Sequence, residues 1–223
     1  MKVAVLRFPG TNCEFDTQYA FEELGYTTTL IWHKEDRVPE DTDLVVIPGG
    51  FSYGDYLRSG SIAQFSPIMK AVVRYANGGG KVLGICNGFQ ILTEIGLLPG
   101  ALKRNNNLHF ISKFQTIKVV NNDNVFLSKC KKNEILNIPI AHADGNYYID
   151  DDGLKDLEKN GQILLKYSDT SGNRVIVNGS VKSIAGICNK EKNVFGLMPH
   201  PERALELILG SKDGIKMLQG FEE

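Results

Sequence analysis

The sequence predicts an α/β protein: a mainly parallel sheet in the first half, extended by antiparallel strands in the second. Three observations carry this expectation. Strand-like and helix-like segments alternate over the first ninety-odd residues, the order that βαβ crossovers require. The strand-like segments there are nearly continuous apolar runs, as expected of strands covered on both faces. After Gly100 the segments turn strand-like and are separated by turn clusters, the mark of antiparallel pairing.

In chain order, "KVAVLRF" (residues 2–8) is an apolar run that stops at Pro9-Gly10. "CEFDTQYAFEELGY" follows, with Phe15, Tyr19, Ala20 and Leu24 at helical spacing and Gly25 as a stop. "TTTLIWH" (27–33) is β-branched and aromatic, hence strand. "DLVVIPGG" (43–50) is a third strand ending in Pro48-Gly49-Gly50. "IAQFSPIMKAVVRYANGGG" reads as a helix with Pro67 at a kink or first turn, and "KVLGI" (81–85) as the next strand. "FQILTEIGLL" spaces Phe89, Leu92 and Ile95 as a helix. Beyond Gly100, "NLHFISKFQTIKVV" and "QILLKYSD" are strands among the turn clusters "NNDN", "DDG", "SGN" and "NG". "SIAGICN" (183–189) and "VFGLMPH" (194–200) form two more, joined by the charged turn "KEKN", and "PERALELILG" reads as a closing helix. No repeat or linker divides the chain, so residues 1–223 are expected to form one domain.

A chain of 223 residues buries roughly 70% of its unfolded surface and needs neither metal nor disulfide to hold it. At 42% hydrophobic, 23% charged and a net charge of −1, it lacks the basic excess of a nucleic-acid binder. No apolar run reaches the length of a membrane span, and the N-terminus has no signal-peptide pattern. Cys13, Cys86, Cys130 and Cys188 include no C-x-x-C pair, so neither a zinc site nor a disulfide framework is expected. The reducing cytoplasm is the expected compartment.

In sheets of this kind ligands bind at the carboxyl ends of the strands. Three sequence features fall at such ends. Gly84-Ile85-Cys86-Asn87-Gly88 fits G-x-nucleophile-x-G, the elbow between a strand and a helix, where glycines flank a strained nucleophile. The elbow would aim the Cys86 sulfur out of the sheet, point the Asn87 N–H into the same space, and set the thiol at a helix N-terminus, whose dipole favours anions. A free thiol is only about 3% ionised at pH 7, so a base is needed. "GLMPHPER" supplies His200 at another strand end, with Glu202 two residues on to orient the imidazole. "IPGGFSYGDYLRSG" supplies Gly49-Gly50, where a backbone N–H can approach a ligand closely as a second oxyanion donor.

"FPGTNCEFD", "PGGFSYGDYLRSG", "GICNGFQIL" and "GLMPHPER" together resemble the glutaminase subunits of phosphoribosylformylglycinamidine synthase, a branch of the class I (triad) glutamine amidotransferases. The motifs run in that order through essentially the whole chain. The resemblance implies a doubly wound, flavodoxin-like sheet. It implies Cys86 as nucleophile, His200 as general base and acid, Glu202 as orienting carboxylate, and Gly50 and Asn87 as oxyanion donors. Gly49, Phe51, Gln90 and His142 would contact the substrate. The implied activity is hydrolysis of L-glutamine through a glutamyl thioester. Ammonia then passes to a large ATP-dependent synthase subunit, which works with a small third subunit. That partner would hold ATP and magnesium and convert formylglycinamide ribonucleotide to its amidine in purine synthesis. No cofactor or metal is expected in this chain.

One departure stands out. Where such relatives commonly read His-Gly-Glu-Gly, this chain has His142-Ala143-Asp144-Gly145, which leaves open whether that loop contacts glutamine or a partner. Cys13 follows the first strand and reads as a plain loop thiol that could approach the site. Cys188 reads as core, and Cys130 as part of a charged loop. Two rival readings remain: a stand-alone cysteine hydrolase of the same architecture, and a regulatory module using Cys86 as a redox sensor. The late His-Pro-Glu speaks against the first, and a role for His200 against the second.

Overall fold

The computed structural model describes residues 1–222. Its first half follows the expected alternation. β1 (Lys2–Arg7), α1 (Glu14–Glu23), β2 (Thr27–Trp32), β3 (Leu44–Ile47), α2 (Pro67–Asn77), β4 (Lys81–Ile85) and α3 (Asn87–Glu94) come in that order. Pro67 sits in the first turn of α2, where its missing N–H costs nothing. In the second half β5 (Ala101–Lys103), β6 (Ile111–Val119), β7 (Ile135–His142), β8 (Asn146–Tyr148), α4 (Asp151–Lys159), β9 (Ile163–Tyr167), β10 (Ile184–Cys188), β11 (Val194–Leu197) and α5 (Gly214–Leu218) follow. Among the described residues no helix is long and apolar enough to cross a membrane.

Nine strands form one sheet in the order β2-β1-β3-β4-β11-β10-β9-β6-β7, and β5 pairs with β8 beside it. β1, β2, β3, β4 and β11 run parallel, and the pairs from β11 outward to β7 are antiparallel. The architecture is the flavodoxin-like one, with its antiparallel extension. β3, β4 and β11 are buried at nearly every position, which is why they read as unbroken apolar runs. Their carboxyl ends at Ile47, Ile85 and Leu197 lie side by side, because Ile47 pairs with Gly84 and Leu197 with Ile85. The three sequence features thus start from adjacent strand ends.

Several expectations need correction. "DDG" is the first turn of α4 and not a loop: the Asp150 side chain caps it by accepting from the Gly153 N–H at 2.8 Å. Acidic residues that start a helix look like turn residues in sequence. β7 has no strand reading in the sequence because Pro139 interrupts it. Proline is tolerated there because β7 is the sheet's last strand. The closing helix over 201–210 does not form. Pro201–Arg203 and Leu207–Leu209 are short 3-10 turns, broken at Ala204 (φ −127°, ψ 54°). The chain folds back instead, with the Gly214 N–H donating to the Ala204 carbonyl at 2.9 Å. Leu207, Ile208 and Leu209 stay exposed, so no apolar face rewards a longer helix. Cys130 is buried under its charged loop, and burial pushes its thiol up to about 12.

The junction of β4 and α3 is sterically exact. A Cβ on Gly88 would overlap the Ile47 carbonyl oxygen and lie 2.7 Å from its carbon, and one on Gly84 would lie 2.7 Å from the Gly88 carbonyl. At the end of β7, His142 is sealed in, and its Nδ1 lies 3.2 Å from Asn105 Oδ1. Burial, reinforced by the nearby His200 charge, lowers its pKa to about 4.

Gly88→Ala should therefore cost about 3 kcal/mol and lower Tm by roughly 6–12 °C. Gly96→Ala is the control: it has left-handed φ (73°) but nothing within 4 Å of an added Cβ, so it should cost only about 1 kcal/mol. Equal losses in thermal melts would refute the packing account. His142 must stay neutral to remain folded, so its contribution is intact above pH 6.5 and lost as pH falls toward 4. Between those pH values the parent should lose on the order of 3 kcal/mol more than His142→Gln. Urea titrations of both proteins at each pH read the difference, and parallel losses would sink the assignment.

Candidate active site

Cys86 stands alone between β4 and α3 with φ 50° and ψ −102°. A left-handed φ in a cysteine costs about 1–2 kcal/mol, and two hydrogen bonds hold it there. Its N–H donates to Leu197 O at 2.7 Å, and its carbonyl accepts from the Gln90 N–H at 3.2 Å. The thiol rests 3.5 Å from Ala141 O and lines a cavity of about 260 Å3 with Cys13, Gly50, Phe51, His200 and Arg203.

β11 stops at Leu197, short of the expected 194–200 run: Met198 keeps one bond in register with β10, and by His200 the chain has turned to β7. The Met198 N–H donates to Ala185 O at 3.0 Å and the His200 N–H to Pro139 O at 2.8 Å. The 3-10 turn that follows swings Glu202 behind the imidazole, placing its Oε1 2.6 Å from His200 Nδ1, with both residues buried. Burial alone would push the His200 imidazole down. The Glu202 carboxylate and then the neighbouring Cys86 and Cys13 thiols outweigh that, holding it well above the ordinary histidine value. The other ring nitrogen, Nε2, is buried with no hydrogen-bond partner among the described residues.

The glycine-rich loop after β3 closes the cavity from the side. Gly50 has φ 142°, and a Cβ there would lie 2.7 Å from the Asn12 nitrogen. At Gly49 a Cβ would come within 2.7 Å of His200 Cε1 and 3.1 Å of Cys13 Sγ, so only glycine lets these groups meet. Phe51 donates its N–H to Gly10 O at 2.9 Å and offers the cavity its half-exposed ring. Beyond it, Tyr53, Asp55 and Leu57 all have positive φ, an unusual density of strain for one loop. The main chain of Asn87 opens α3, where the first N–H groups have no partner inside the helix.

Gln90 and His142 lie behind the cavity wall and not in its lining. The Gln90 amide is bonded at both ends within the protein, and His142 meets Asn105 through Nδ1 while its Nε2 is buried with no partner among the described residues. Ser52 N–H donates to Asn87 Oδ1 (3.0 Å), Asn87 Nδ2 to Gln90 Oε1 (2.9 Å), and Gln90 Nε2 to Asp144 O (2.7 Å). This chain of amides ties the glycine-rich loop, the elbow and the loop after β7 together. Asp144 adds to the tie, accepting from Ser59 Oγ at 2.7 Å and Arg104 Nε at 3.2 Å. The Ala143-Asp144 departure is thus absorbed by a framework among loops.

Cys13 proves to be a cavity thiol. Arg203 Nη2 donates to its sulfur at 3.1 Å while Arg203 Nε donates to Asp16 at 3.0 Å. Burial pushes the Cys13 thiol up, against the pull of His200. Asn12, within "FPGTNCEFD", also reaches the cavity; Phe110 and Ser112 reach it too and had no sequence signal, because distant pairing alone brings the start of β6 here. Arg203 had one, as the last residue of "HPER". Chemically the arrangement offers a nearly buried thiol, a carboxylate-held imidazole and backbone donors around one small cavity, which suits acyl transfer.

Comparison with known proteins agrees. Residues 1–214 match the model of the CobB/CobQ-like glutamine amidotransferase domain. The phosphoribosylformylglycinamidine synthase subunit PurQ of Sulfurimonas denitrificans is 70% identical over 99% of both chains, and that of Wolinella succinogenes 66% over 99% of both. A chain of the solved PurLQS structure from Thermotoga maritima superposes with a TM-score of 0.88 at 42% identity, covering 99% of this chain and 96% of that one. The chain belongs to the CobB/CobQ-like glutamine amidotransferases, in the branch of the PurQ subunits of phosphoribosylformylglycinamidine synthase.

Proposed function

We propose that this chain hydrolyses L-glutamine through Cys86, His200 and Glu202, and passes the ammonia to a large ATP-dependent synthase subunit that makes formylglycinamidine ribonucleotide. One observation carries the reading: Cys86 and His200 line the same cavity, and Glu202 holds the far nitrogen of the imidazole at 2.6 Å. The raised His200 pKa favours an imidazolium beside the Cys86 sulfur. The Cys86 thiolate attacks the side-chain carboxamide carbon, and the N–H groups of Gly50 and Asn87 receive the oxyanion. His200 gives its proton to the departing ammonia. It then takes one from the water that hydrolyses the glutamyl thioester. Gly49 leaves room for the imidazole and Phe51 covers the mouth. Gln90 and His142 act by holding the loops around the substrate, as their hydrogen bonds suggest.

The PurQ subunit names and the PurLQS complex support a multi-subunit assembly with a synthase partner. We assign ATP and magnesium to that large subunit, add a small third subunit to the assembly, and place its work in the cytoplasm. The loop over 49–58, strained at Tyr53, Asp55 and Leu57, is the element that partner docking would reset, since it carries Gly50.

A glutamine-mimicking electrophile should label the Cys86 peptide alone; label on Cys13 instead would reassign the nucleophile. Glu202→Gln should lower kcat by at least about 10²-fold. Because Glu202 raises the His200 pKa, the variant's alkaline limb should also move to lower pH. A rate–pH profile with an unmoved limb would remove Glu202 from the reading. Glutaminase turnover should rise at least tenfold when the synthase subunit is added; equal turnover with and without it would refute control by the partner.

A further inference from the structure

Exposure is graded around the cavity. Its floor is buried, with Cys86 6% and His200 2% exposed, whereas two rings of its lining, Phe51 and Phe110, are 44% and 50% exposed. Those rings lie 6.5 Å apart between centroids, tilted by 34°, within the contact range of aromatic pairs. They come from different parts of the fold. Phe110 ends a turn built on the fully buried Asn105, whose Nδ2 donates to His109 O and to His142 O, each at 2.9 Å. Ile111 then pairs with His142, and Ser112 with Ala141, whose carbonyl lies 3.5 Å from the Cys86 sulfur. Phe110 is thus fixed to the sheet. Phe51 instead follows Gly50, on the loop strained at Tyr53, Asp55 and Leu57.

We propose that Phe51 and Phe110 are the two lips of the substrate mouth, and that Phe110 is a specificity-determining residue. It admits free glutamine and refuses glutamine blocked on its α-nitrogen, a role that rests on the proposed chemistry at Cys86. A cavity of about 260 Å3 falls below the roughly 300–1,000 Å3 of pockets for drug-sized ligands, so it suits a single amino acid. With the rings already in contact, a substrate reaches the floor only when they part. Phe110 is tied to β6 and β7, so the ring that gives way is Phe51. Gly50 moves with it, because one peptide bond joins the two residues. Entry of the substrate and placement of the Gly50 N–H are then one event. Once closed, the rings present apolar surface to the bound amide arm. A free α-amino group stays at the rim, where exposed Ser112 and solvent receive it. An acyl group in its place would have to displace the Phe110 ring, which the Asn105 turn holds.

Two measurements test the mouth. On the full chain, N-methylmaleimide and N-pyrenylmaleimide serve as a small and a bulky thiol probe, with peptide mapping to read Cys86 apart from Cys13. The parent should react with the small probe and resist the bulky one. Phe110→Ala should raise the bulky-probe rate at Cys86 several-fold and leave the small-probe rate near the parent's, while Phe110→Tyr should behave as the parent. Leu108→Ala should do the same, since Leu108 is exposed on the same turn but lies outside the cavity lining. With the synthase subunit present, kcat/KM for L-glutamine is then compared with that for Nα-acetyl-L-glutamine. One methylene in an apolar pocket is worth about 10–200-fold in selectivity, so Phe110→Ala should narrow the parent's preference at least about tenfold. Equal reaction of both probes with Cys86 in the parent would overturn the mouth, as would Phe110→Ala that shifts neither ratio. Bulky-probe labelling that rises equally at the buried Cys130 and Cys188 would reveal a loosened fold and overturn it too. The maleimide ratio needs no turnover. A shifted ratio with no glutamine hydrolysis in any protein would sink the catalytic reading and leave the mouth standing. Hydrolysis with an unshifted ratio would sink the mouth alone.

Discussion

The contact between Gly88 and the Ile47 carbonyl sets the terms for everything at this sheet edge. Because no side-chain atom stands at position 88, the first turn of α3 presses directly onto the end of β3. With Gly84 equally free of a side chain beneath it, the chain passes from β4 into α3 through a single residue. Cys86 must take up a left-handed φ to make that passage. Sulfur direction, helix start and the position of the Asn87 main chain are then all decided together, and none can move without the others. The strain is tolerated because the Cys86 N–H and carbonyl are both bonded, one to β11 and one into α3.

Around that fixed point the protein holds its loops by buried amides and ion pairs. The series Ser52, Asn87, Gln90, Asp144 crosses three loops that share no sequence neighbourhood, and every link in it is a made hydrogen bond. Arg58 ties the far side of the glycine-rich loop to Glu94 at the end of α3, through bonds of 2.7 and 2.5 Å. Buried polar chains of this kind stabilise one geometry in particular, because a half-made chain leaves unpaired groups in a low dielectric. They hold the glycine-rich loop to the elbow while its own backbone, at Tyr53, Asp55 and Leu57, is strained. A loop both strained and tied is suited to two discrete positions more than to continuous drift.

A carboxylate behind Nδ1 and a buried Nε2 without a partner among the described residues suit His200 to carry a proton for a thiol. Cys13 stands on the same side of Gly49 as this imidazole, held by Arg203 and Asn12.

Local chemistry made much of this molecule legible in its sequence. Runs such as "DLVVIPGG" and "KVLGI" could only be strands buried on both faces, and the glycines around Cys86 could only be a crowded turn, because those properties depend on neighbours in the chain. The motifs likewise marked Cys86, His200, Glu202 and Gly50 before any geometry was known. What the sequence left undecided were matters of long-range pairing. Pro139 hid β7 until its edge position excused it, the acids of α4 looked like a turn until Asp150 was seen capping, and the helix expected at 201–210 yielded to a reversal anchored by Gly214. Whether Gln90 faces the cavity or the loops, and whether Cys13 is a bystander or a neighbour of His200, depended on partners more than fifty residues away. Side-chain burial and direction arise only when the sheet has brought those partners together, so tertiary structure alone could decide them.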